Sequence, residues 1–466
     1  MEEKDAAFAL AKNVVNISYD DIPEEVVEST KKSILDTLGV LVAGSGLEPS
    51  CRRVVELVKG AGGREESSIL VFGGKVPAQM AAFANGGMVH ALDYDDVIDD
   101  AVVHPTAATL PAALAIAEQM GKVGGKELIT AVTLGNDLIT RMSLAVTQSP
   151  QGAKHVAGWH MNTTFGAYSS AAAAGKLLGL DEDKMADALG IAFMHTGGSF
   201  QINYSDGVGI TPLYDCFLSM AGVLSALMAQ HGITGVKDCL QSKAGVYNLY
   251  FRGEYDPSYL TDKLGKRFEG INMGFKLWPT CRCTHVYITA TLDLIREHSI
   301  RPENVTEVIV TVGDWGQNLC LPLEARRKPE TGMFASLSIP FTVAAAIAKG
   351  EVNIGTFAPE SLKDPATLAV AQKVVPKYDP QFNVPGIPPA IVEIKTKSGE
   401  AYSERVDFPY GHPKNPVTID DLLKKFRDCV SYSAKPIPKE KIAKAIESIL
   451  NLEEIDDVGQ IIQLFT

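Results

Sequence analysis

The spacing of apolar residues changes its period along the chain, and this change limits the folds that the chain can adopt. Up to about residue 265, apolar residues recur three and four positions apart between Gly and Pro, as in amphipathic helices. Near residue 270, β-branched runs begin that alternate with a period of two, at 305–312 and 390–397. After Pro409 the helical spacing returns. The sequence therefore predicts a mainly α protein, in which both chain ends form a large all-helical domain and the middle forms a smaller α+β domain.

The domain boundaries follow from the same change of period. We place the helical domain at residues 1–267 and 408–466 and the α+β domain at 268–407. Within the α+β domain, Ser398-Gly399 separates the second alternating run from residues 402–406, which predicts a hairpin. With 46% apolar and 21% charged residues, the composition is that of a compact globular protein and excludes collagen-like and disordered classes.

The charge balance and the termini restrict the possible partners. The chain has 43 Lys and Arg against 56 Asp and Glu, a net charge of −13, which disfavours nucleic acid and anionic membrane surfaces. The N-terminus is acidic where a secretory signal would be basic, and the most apolar stretches are interrupted before the roughly 20 residues of a membrane span. Seven cysteines without paired spacing favour a reducing compartment. We expect a cytoplasmic protein without nucleic-acid or membrane partners.

The densest polar cluster is the acidic segment, residues 93–100, preceded by His90 and followed by His104. Five carboxylates within these eight residues repel one another unless a cation or a proton lies among them. A solvated loop is one interpretation, but interleaved apolar residues indicate that part of the segment faces a core. His104 stands directly before Pro105 and an Ala-rich helix, where the helix dipole favours a neutral imidazole that can act as a base.

The same segment also contains the pattern Asp-Asp-x-x-Asp at 95–99, with which helical prenyl and terpene synthases hold Mg²⁺ and diphosphate. The second metal motif of terpene cyclases is imitated at 136–140, but Leu144 occupies the position of its closing Glu. No run of Arg or Lys follows the first motif to bind diphosphate. This alternative is therefore disfavoured.

A second histidine, His160, follows Trp159 at the entrance of another helix of small residues. A lone His beside a Trp is usually a core residue with satisfied hydrogen bonds. Its position nevertheless matches that of His104, and two neutral imidazoles that converge on a cavity would supply an acid and a base for proton transfer at carbon.

A third cluster spans residues 274–285, at the junction of the helical and α+β regions, where ligand clefts form. Lys276 and Arg282 could hold carboxylates there. Cys281 and Cys283 lack further thiolates at ligand spacing, which disfavours a zinc or iron–sulfur site. The chain contains no glycine-rich nucleotide loop, no Gly-x-Ser-x-Gly and no His-Glu-x-x-His. We expect chemistry without a cofactor or a metal.

Four motifs occur together in this chain. They are His90-x-Leu92-Asp93-Tyr94-Asp95-Asp96 with His104-Pro105, then Gly158-Trp159-His160, then Lys276-x-x-Pro279-Thr280-Cys281 with Thr284-His285, and finally 411–416 (Gly-His-Pro-Lys-Asn-Pro) with Lys425-Phe426. By these motifs, nearly the whole chain resembles the MmgE/PrpD family, which includes 2-methylcitrate dehydratase, cis-aconitate decarboxylase and iminodisuccinate epimerase. The resemblance implies a helical domain built from both chain ends, a smaller α+β lid, a homodimer, and a metal-independent cleft between the domains.

The resemblance also implies site residues. Asp93 and His104 correspond to the active-site Asp and first His of the family, His160 to its second His and Lys276 to its lid Lys. Other positions lack an expected polar group. These are Val97 in place of a Thr, Thr211 and Tyr214 in place of a Lys and a His, and Phe341 in place of a Tyr. Since each replacement removes a donor for a carboxylate, the substrate is expected to carry fewer carboxylates than citrate.

The resulting hypothesis is a cofactor-free lyase of the dehydratase type that acts on a small carboxylic acid. His104 or His160 would remove a proton next to a carboxylate or carbonyl, and Lys276 would stabilise the enediolate-like state. Asp93 would orient an imidazole. The candidate substrate-binding residues are Arg282, Thr211 and Tyr204. An epimerase (isomerase) or a decarboxylase acting on a related acid remains an alternative, as does a catalytically silent helical binding protein.

Overall fold

The computed structural model describes residues 4–156, 158–204, 209–384 and 386–466. It divides into two compact units, a helical unit (Met1–Phe275 with Thr418–Thr466) and a mixed unit (Lys276–Val417). The structure is mainly helical with small sheets, which confirms the predicted fold class.

The boundaries of the units lie at 275/276 and 417/418, whereas the sequence placed them at 267/268 and 407/408. Long-range hydrogen bonds explain the difference. The Glu269 N–H donates to Asp137 Oδ1 at 2.6 Å, and Gly274 pairs with Val97, which ties 268–275 to the helical unit. The Tyr410 N–H donates to Thr289 Oγ1 at 3.1 Å within the mixed unit.

The N-terminal segment of the helical unit contains, within the described residues, twelve α-helices and a two-stranded ribbon. The helices are α1 (Ala6–Asn16), α2 (Glu24–Leu47), α3 (Pro49–Ala61), α4 (Ala78–Val89), α5 (Pro105–Met120), α6 (Gly125–Thr147), α7 (Met161–Leu177), α8 (Glu182–Ala192), α9 (Gln201–Tyr204), α10 (Asp215–Gln230), α11 (Val246–Phe251) and α12 (Ser258–Thr261). The ribbon pairs β1 (Ser67–Ser68) with β2 (Lys75–Val76) in antiparallel fashion.

Small residues let the central helices approach one another closely. The alanines at 171–174 of α7 are fully buried. A Cβ atom added to Gly222 of α10 would lie 2.1 Å from Ser170 Cβ of α7, so only glycine fits at this crossing. These helices carry or precede the polar residues described below, and their close packing fixes the distances between those residues.

One segment, Thr211–Gln230, has the length and hydropathy of a membrane-spanning helix. However, 72% of its apolar window is buried inside the structure, which is typical of the core helix of a globular unit.

The mixed unit carries a four-stranded sheet covered by helices. Its helices are α13 (His285–Glu297), α14 (Asp314–Asn318), α15 (Leu323–Arg327), α16 (Gly332–Ser336), α17 (Ile339–Lys349) and α18 (Pro365–Ala371). Its strands are β3 (Val305–Val312), β4 (Val374–Tyr378), β5 (Ala390–Thr396) and β6 (Ala401–Val406), in the order β4-β3-β5-β6. β3 runs parallel to β4 and antiparallel to β5, and β5 is antiparallel to β6.

Both predicted alternating runs are strands. Val308, Val310 and Val312 of β3 are buried, and so are alternate residues of β5, which form one core with α13 and α17. The predicted hairpin connects β5 to β6, with Gly399 at a φ of +89° in its turn.

The chain then returns to the helical unit and ends in three helices. These are α19 (Ile419–Ser431), α20 (Lys439–Leu450) and α21 (Gly459–Ile462). The Thr418 side chain accepts from the Asp421 N–H and begins α19, which packs on α2.

Candidate active site

The acidic segment is a buried loop between α4 and α5. Asp95 and Asp96 are both 0% exposed, so the interpretation as a solvated loop is wrong for these two residues. Asp93 has a φ of +49°, a left-handed conformation that non-glycine residues seldom adopt and that clusters at functional sites. Further along, Val97 exchanges backbone hydrogen bonds of 2.9 and 2.7 Å with Gly274.

His90, at the end of α4, lies against this loop. Its Nδ1 is 2.9 and 3.1 Å from the two carboxylate oxygens of Asp95, and its Nε2 is 3.0 Å from the Tyr214 hydroxyl. Burial alone would lower the pKa of His90, but the charge and hydrogen bond of Asp95 outweigh burial and raise this pKa to about 9. At neutral pH, His90 is therefore a buried imidazolium.

His104 immediately precedes α5 and lies beside His90, with 4.9 Å between the ring centroids. Its Nδ1 is 2.7 Å from the Asp96 carbonyl oxygen and 3.4 Å from Asp95 Oδ2. Because a carbonyl oxygen can only accept, Nδ1 carries the hydrogen. In the neutral ring the lone pair is then on Nε2.

His160 is the N-cap of α7. Its Nδ1 accepts from the Thr163 N–H at 3.4 Å, so that in the neutral ring Nε2 carries the hydrogen. Burial, reinforced by the neighbouring His90 and His104, lowers the pKa of His160 to about 3. The Tyr214 ring connects the two sides of the cluster, since its centroid lies 4.6 Å from that of His90 and 4.7 Å from that of His160.

Burial raises the pKa of two further acids in this region. For Asp96, burial and the neighbouring charge of Asp95 together outweigh the hydrogen bonds of Thr106, whose N–H is 3.4 Å away, and raise the pKa to about 8. Burial also raises the pKa of Asp215 well above its usual value. Two acids of this region are therefore accommodated differently, Asp95 by the His90 cation and Asp96 by a proton.

Asn162 joins the three chain segments that carry these side chains. Its Oδ1 accepts from the His104 N–H at 2.8 Å, and its Nδ2 donates to Asp215 Oδ1 at 2.7 Å. Asn162 follows His160 by two residues, and Asp215 follows Tyr214 directly. The Asn162 amide therefore fixes the positions of His104, His160 and Tyr214 relative to one another.

The ligand atoms of His90, Asp95 and His104 lie within 4.8 Å of one another, the separation that a metal site would require. Their hydrogen bonds do not fit metal ligation. The Nδ1 of His104 donates to the Asp96 carbonyl, the Nδ1 of His90 donates to Asp95, and the Nε2 of His90 contacts the Tyr214 hydroxyl, so of the two imidazoles only His104 Nε2 could ligate an ion. The cluster is best described as a hydrogen-bonded charge pair with a second imidazole beside it.

The structure brings together three of the five predicted residues of the helical unit. His104 and His160 lie in one cluster, and the half-buried Asp93 is close enough for its charge to raise the pKa of His90. The Thr211 hydroxyl donates to the Ile202 carbonyl at 2.9 Å. Tyr204 ends α9, and its side chain is outside the described residues.

The two predicted cations belong to the mixed unit. Lys276 is its first residue and is 1% exposed. Arg282 begins the 3₁₀ turn Arg282–Thr284 and is also buried. Their roles toward a substrate remain predictions.

No roles were predicted from the sequence for His90, Asp95, Asn162 and Asp215. Tyr214 was interpreted only as the replacement of an expected polar residue of the family. Tyr214 is instead a hydroxyl partner of His90 at the centre of the cluster. One signal could have found two of these residues. Asn162 and Asp215 are polar residues at the start of otherwise apolar or small-residue helices, and such residues are buried only when they are hydrogen-bonded.

Comparison with known proteins identifies the family of the chain. Models of the MmgE/PrpD N-terminal domain and the MmgE/PrpD C-terminal domain match residues 9–258 and 278–451. The chain belongs to the MmgE/PrpD family. Both halves of the chain are matched, which confirms the resemblance drawn from the motifs.

Its relatives include three fungal and mammalian proteins that match along almost their whole length. The cis-aconitate decarboxylase-like protein oryM of Aspergillus oryzae is 26% identical over 100% of this chain and 98% of its own. The cis-aconitate decarboxylase of Aspergillus terreus is 26% identical over 96% and 93%, and that of Mus musculus is 25% identical over 99% and 93%. This membership identifies the chain as an enzyme of the lyase type.

Proposed function

We propose that this lyase removes a proton from the carbon next to a carboxylate or carbonyl group of a small carboxylic acid and expels a leaving group from the neighbouring carbon. The observation that carries the proposal is the unequal state of the three clustered imidazoles. His90 is charged, His160 is neutral, and His104 directs its basic nitrogen away from the backbone carbonyl that holds Nδ1.

His104 is the base in this proposal. The Asp96 carbonyl holds the Nδ1–H tautomer, as a carboxylate does behind a catalytic histidine. Nε2 takes the proton from carbon, and the electron pair of the C–H bond forms the enediolate. When the bond to the leaving hydroxyl breaks, the His104 imidazolium returns its proton to that oxygen and water leaves.

The buried charge of His90 supports the negative charge that develops on the substrate. One well-placed donor in a dry site contributes about 3 kcal/mol to such a state. The family resemblance supports Lys276 and Arg282 as further partners of substrate carboxylates. Asp93 lies close enough to influence His90, which supports a positioning role for it.

His160 serves as a hydrogen-bond donor. With a pKa of about 3, its ring does not hold a second proton at neutral pH, but its Nε2–H can donate to an oxyanion as a neutral imidazole. Epimerisation requires a second group that delivers a proton to the opposite face. His160 is neutral, and both nitrogens of the His90 imidazolium are engaged with Asp95 and the Tyr214 hydroxyl, so we assign no residue to that delivery and propose elimination.

Decarboxylation is the second candidate, because the relatives named above are cis-aconitate decarboxylases that match over their full length. In this reaction a C–C bond breaks, CO₂ leaves, and the electron pair that remains on carbon is protonated by an imidazolium. The same cluster would provide that proton and stabilise the same kind of anion.

A single experiment separates these reactions. The protein is incubated in D₂O with a panel of hydroxy-, keto- and amino-dicarboxylic acids, and α-proton signals, olefin signals and CO₂ release are followed. An olefin with loss of water supports the proposal. CO₂ release supports the second candidate, and exchange without a new product supports an epimerase. Folded protein that produces no change in any acid contradicts the proposal and supports a silent binding protein.

The homodimer, which the family resemblance supports, and the cytoplasmic location, which the cysteines and the acidic N-terminus support, remain proposals. Light scattering coupled to gel filtration tests the first, since a mass near 50.0 kDa would be that of a single chain. Cell fractionation tests the second.

A further inference from the structure

Lys425, on α19 of the C-terminal segment, is a buried lysine next to the acidic segment. Its Nζ is 2.6 Å from Asp36 Oδ1 of α2, and their side chains are 3% and 0% exposed. The ammonium also donates to the Tyr94 carbonyl at 2.7 Å and lies 3.9 Å from the centroid of the Tyr94 ring. Because burying two charges is unfavourable unless their geometry is well satisfied, this arrangement calls for a role beyond holding two helices together.

The Tyr94 carbonyl lies beside the residues of the loop that contact the histidines. It lies between Asp93, whose φ is +49°, and Asp95, whose carboxylate contacts His90 and His104. The carbonyl of Asp96, the residue after Asp95, accepts the hydrogen bond from Nδ1 of His104. The pairing of Val97 with Gly274 holds the far end of this stretch, and Lys425 contributes a side-chain contact at its near end.

We propose that Lys425 is a positioning residue of the active site. By holding the Tyr94 carbonyl, it sets the backbone of residues 93–96 so that the Asp95 carboxylate meets His90 and the Asp96 carbonyl meets His104. The inference rests on the proposed function for its effect on rate, and on geometry alone for its effect on the loop. A displacement of about 1 Å at a catalytic group can lower a rate by about a hundredfold.

A purely structural role for Lys425 is the competing explanation, and the chain contains a matched control. Lys31 on α2 is also buried, donates to the Leu450 carbonyl at 2.9 Å and pairs with Glu453 at 3.0 Å and with Glu28 of its own helix at 2.6 Å. It therefore also joins α2 to the C-terminal segment by a carbonyl contact and an ion pair. None of the hydrogen bonds and ion pairs described for these three partners reaches residues 93–96, so K31M reports on docking of the segment and not on the loop.

The experiment compares K425M/D36N, K425R and K31M with the unmodified chain. K425M alone leaves the Asp36 carboxylate buried without its cation and can fail to fold, whereas the double variant removes both charges. Two quantities are measured in folded protein. One is kcat and KM on the acid that gives turnover. The other is the NMR signal of the His90 Nδ1–H, assigned by its loss in H90Q.

We expect K425M/D36N to lower kcat roughly tenfold to a hundredfold with little change in KM, and to shift or broaden the His90 signal. K425R keeps both polar partners and should restore the signal. K31M should lower the melting temperature and leave kcat and the signal unchanged. A folded double variant with the original kcat and His90 signal would overturn the inference. If the unmodified chain turns over no acid, the proposed function fails, and the His90 signal still decides the role of Lys425.

Discussion

The charge of His90 makes a quantitative prediction about how stability depends on pH. A rise of its pKa from 6.5 to about 9 corresponds to about 3 kcal/mol, since one unit is worth about 1.4 kcal/mol. Because the folded-state pKa lies above the unfolded value, the stabilisation is fully present below pH 6.5 and is lost as the pH rises through 9. We therefore expect this contribution to the free energy of unfolding to fall by about 3 kcal/mol across that interval.

The perturbation that tests this value is D95N, which removes the opposing charge but keeps the size of the side chain. Without the charge of Asp95, which raises the pKa of His90, the effect of burial dominates and lowers this pKa. The loss of stability between pH 6.5 and 9 should become smaller, and the His90 resonance should titrate at lower pH. Denaturant unfolding followed by circular dichroism gives the free energy, and ¹⁵N-histidine spectra give the pKa.

The exposed His231 at the end of α10 provides the matched control, because H231N should leave the pH profile of unfolding unchanged. Asp96 also loses stabilisation with rising pH, in the overlapping window from 3.8 to about 8, and the charge of Asp95 contributes to its raised pKa. The difference between the unfolding profiles of the unmodified chain and D95N therefore contains both groups, and the ¹⁵N-histidine titration identifies the part that belongs to His90. A His90 that titrates near 6.5 in the unmodified chain, or a D95N profile with the same slope, would refute the reasoning.

Three other predictions follow from the same geometry. H104Q should lower turnover at least about a hundredfold while the protein stays folded, as steady-state kinetics and circular dichroism will show; unchanged rates would reject the base. D96N replaces a carboxyl that is neutral at pH 7, so activity at pH 7 should persist, and activity above pH 8 should exceed that of the unmodified chain; a large loss at pH 7 would contradict the neutral state. G222A places a methyl 2.1 Å from Ser170 Cβ and should cost about 1–3 kcal/mol in denaturant unfolding, whereas G60A, which meets no neighbour, should not.

The sequence was sufficient to predict the overall fold where the spacing of apolar residues is regular. Strands β3 and β5 alternate cleanly, and the helical pattern on both sides of them is long. Strand β4 was not predicted because it has five residues, contains Pro376 and alternates little. Its strand character comes from its position, since it pairs with β3 at the edge of the sheet.

The domain boundaries show the limit of local information. Residues 268–275 were assigned to the α+β domain because the helical spacing ends before them, but the contacts of Glu269 and Gly274 with residues far away in sequence place them in the helical unit. Nothing in the local sequence encodes such contacts, because they depend on which distant groups the fold brings near.

The candidate site, too, could be predicted from the sequence only in part. His104 and His160 could be singled out because each stands at the start of a helix of small residues. Their different states could not be predicted, because these states depend on burial and on which residues lie nearby. The charge on His90 requires Asp95 at 2.9 Å, and the link from Asn162 to Asp215 crosses 53 residues of sequence.

The support of the acidic segment by α19 has a consequence for synthesis. Helix α2 is synthesised long before α19, which carries Lys425 and packs on α2. Until α19 has left the ribosome, the apolar surface of α2 and the carboxylate of Asp36 lack this cover. A nascent chain is therefore expected to be a client of chaperones, and catalysis to begin only after α19 has docked.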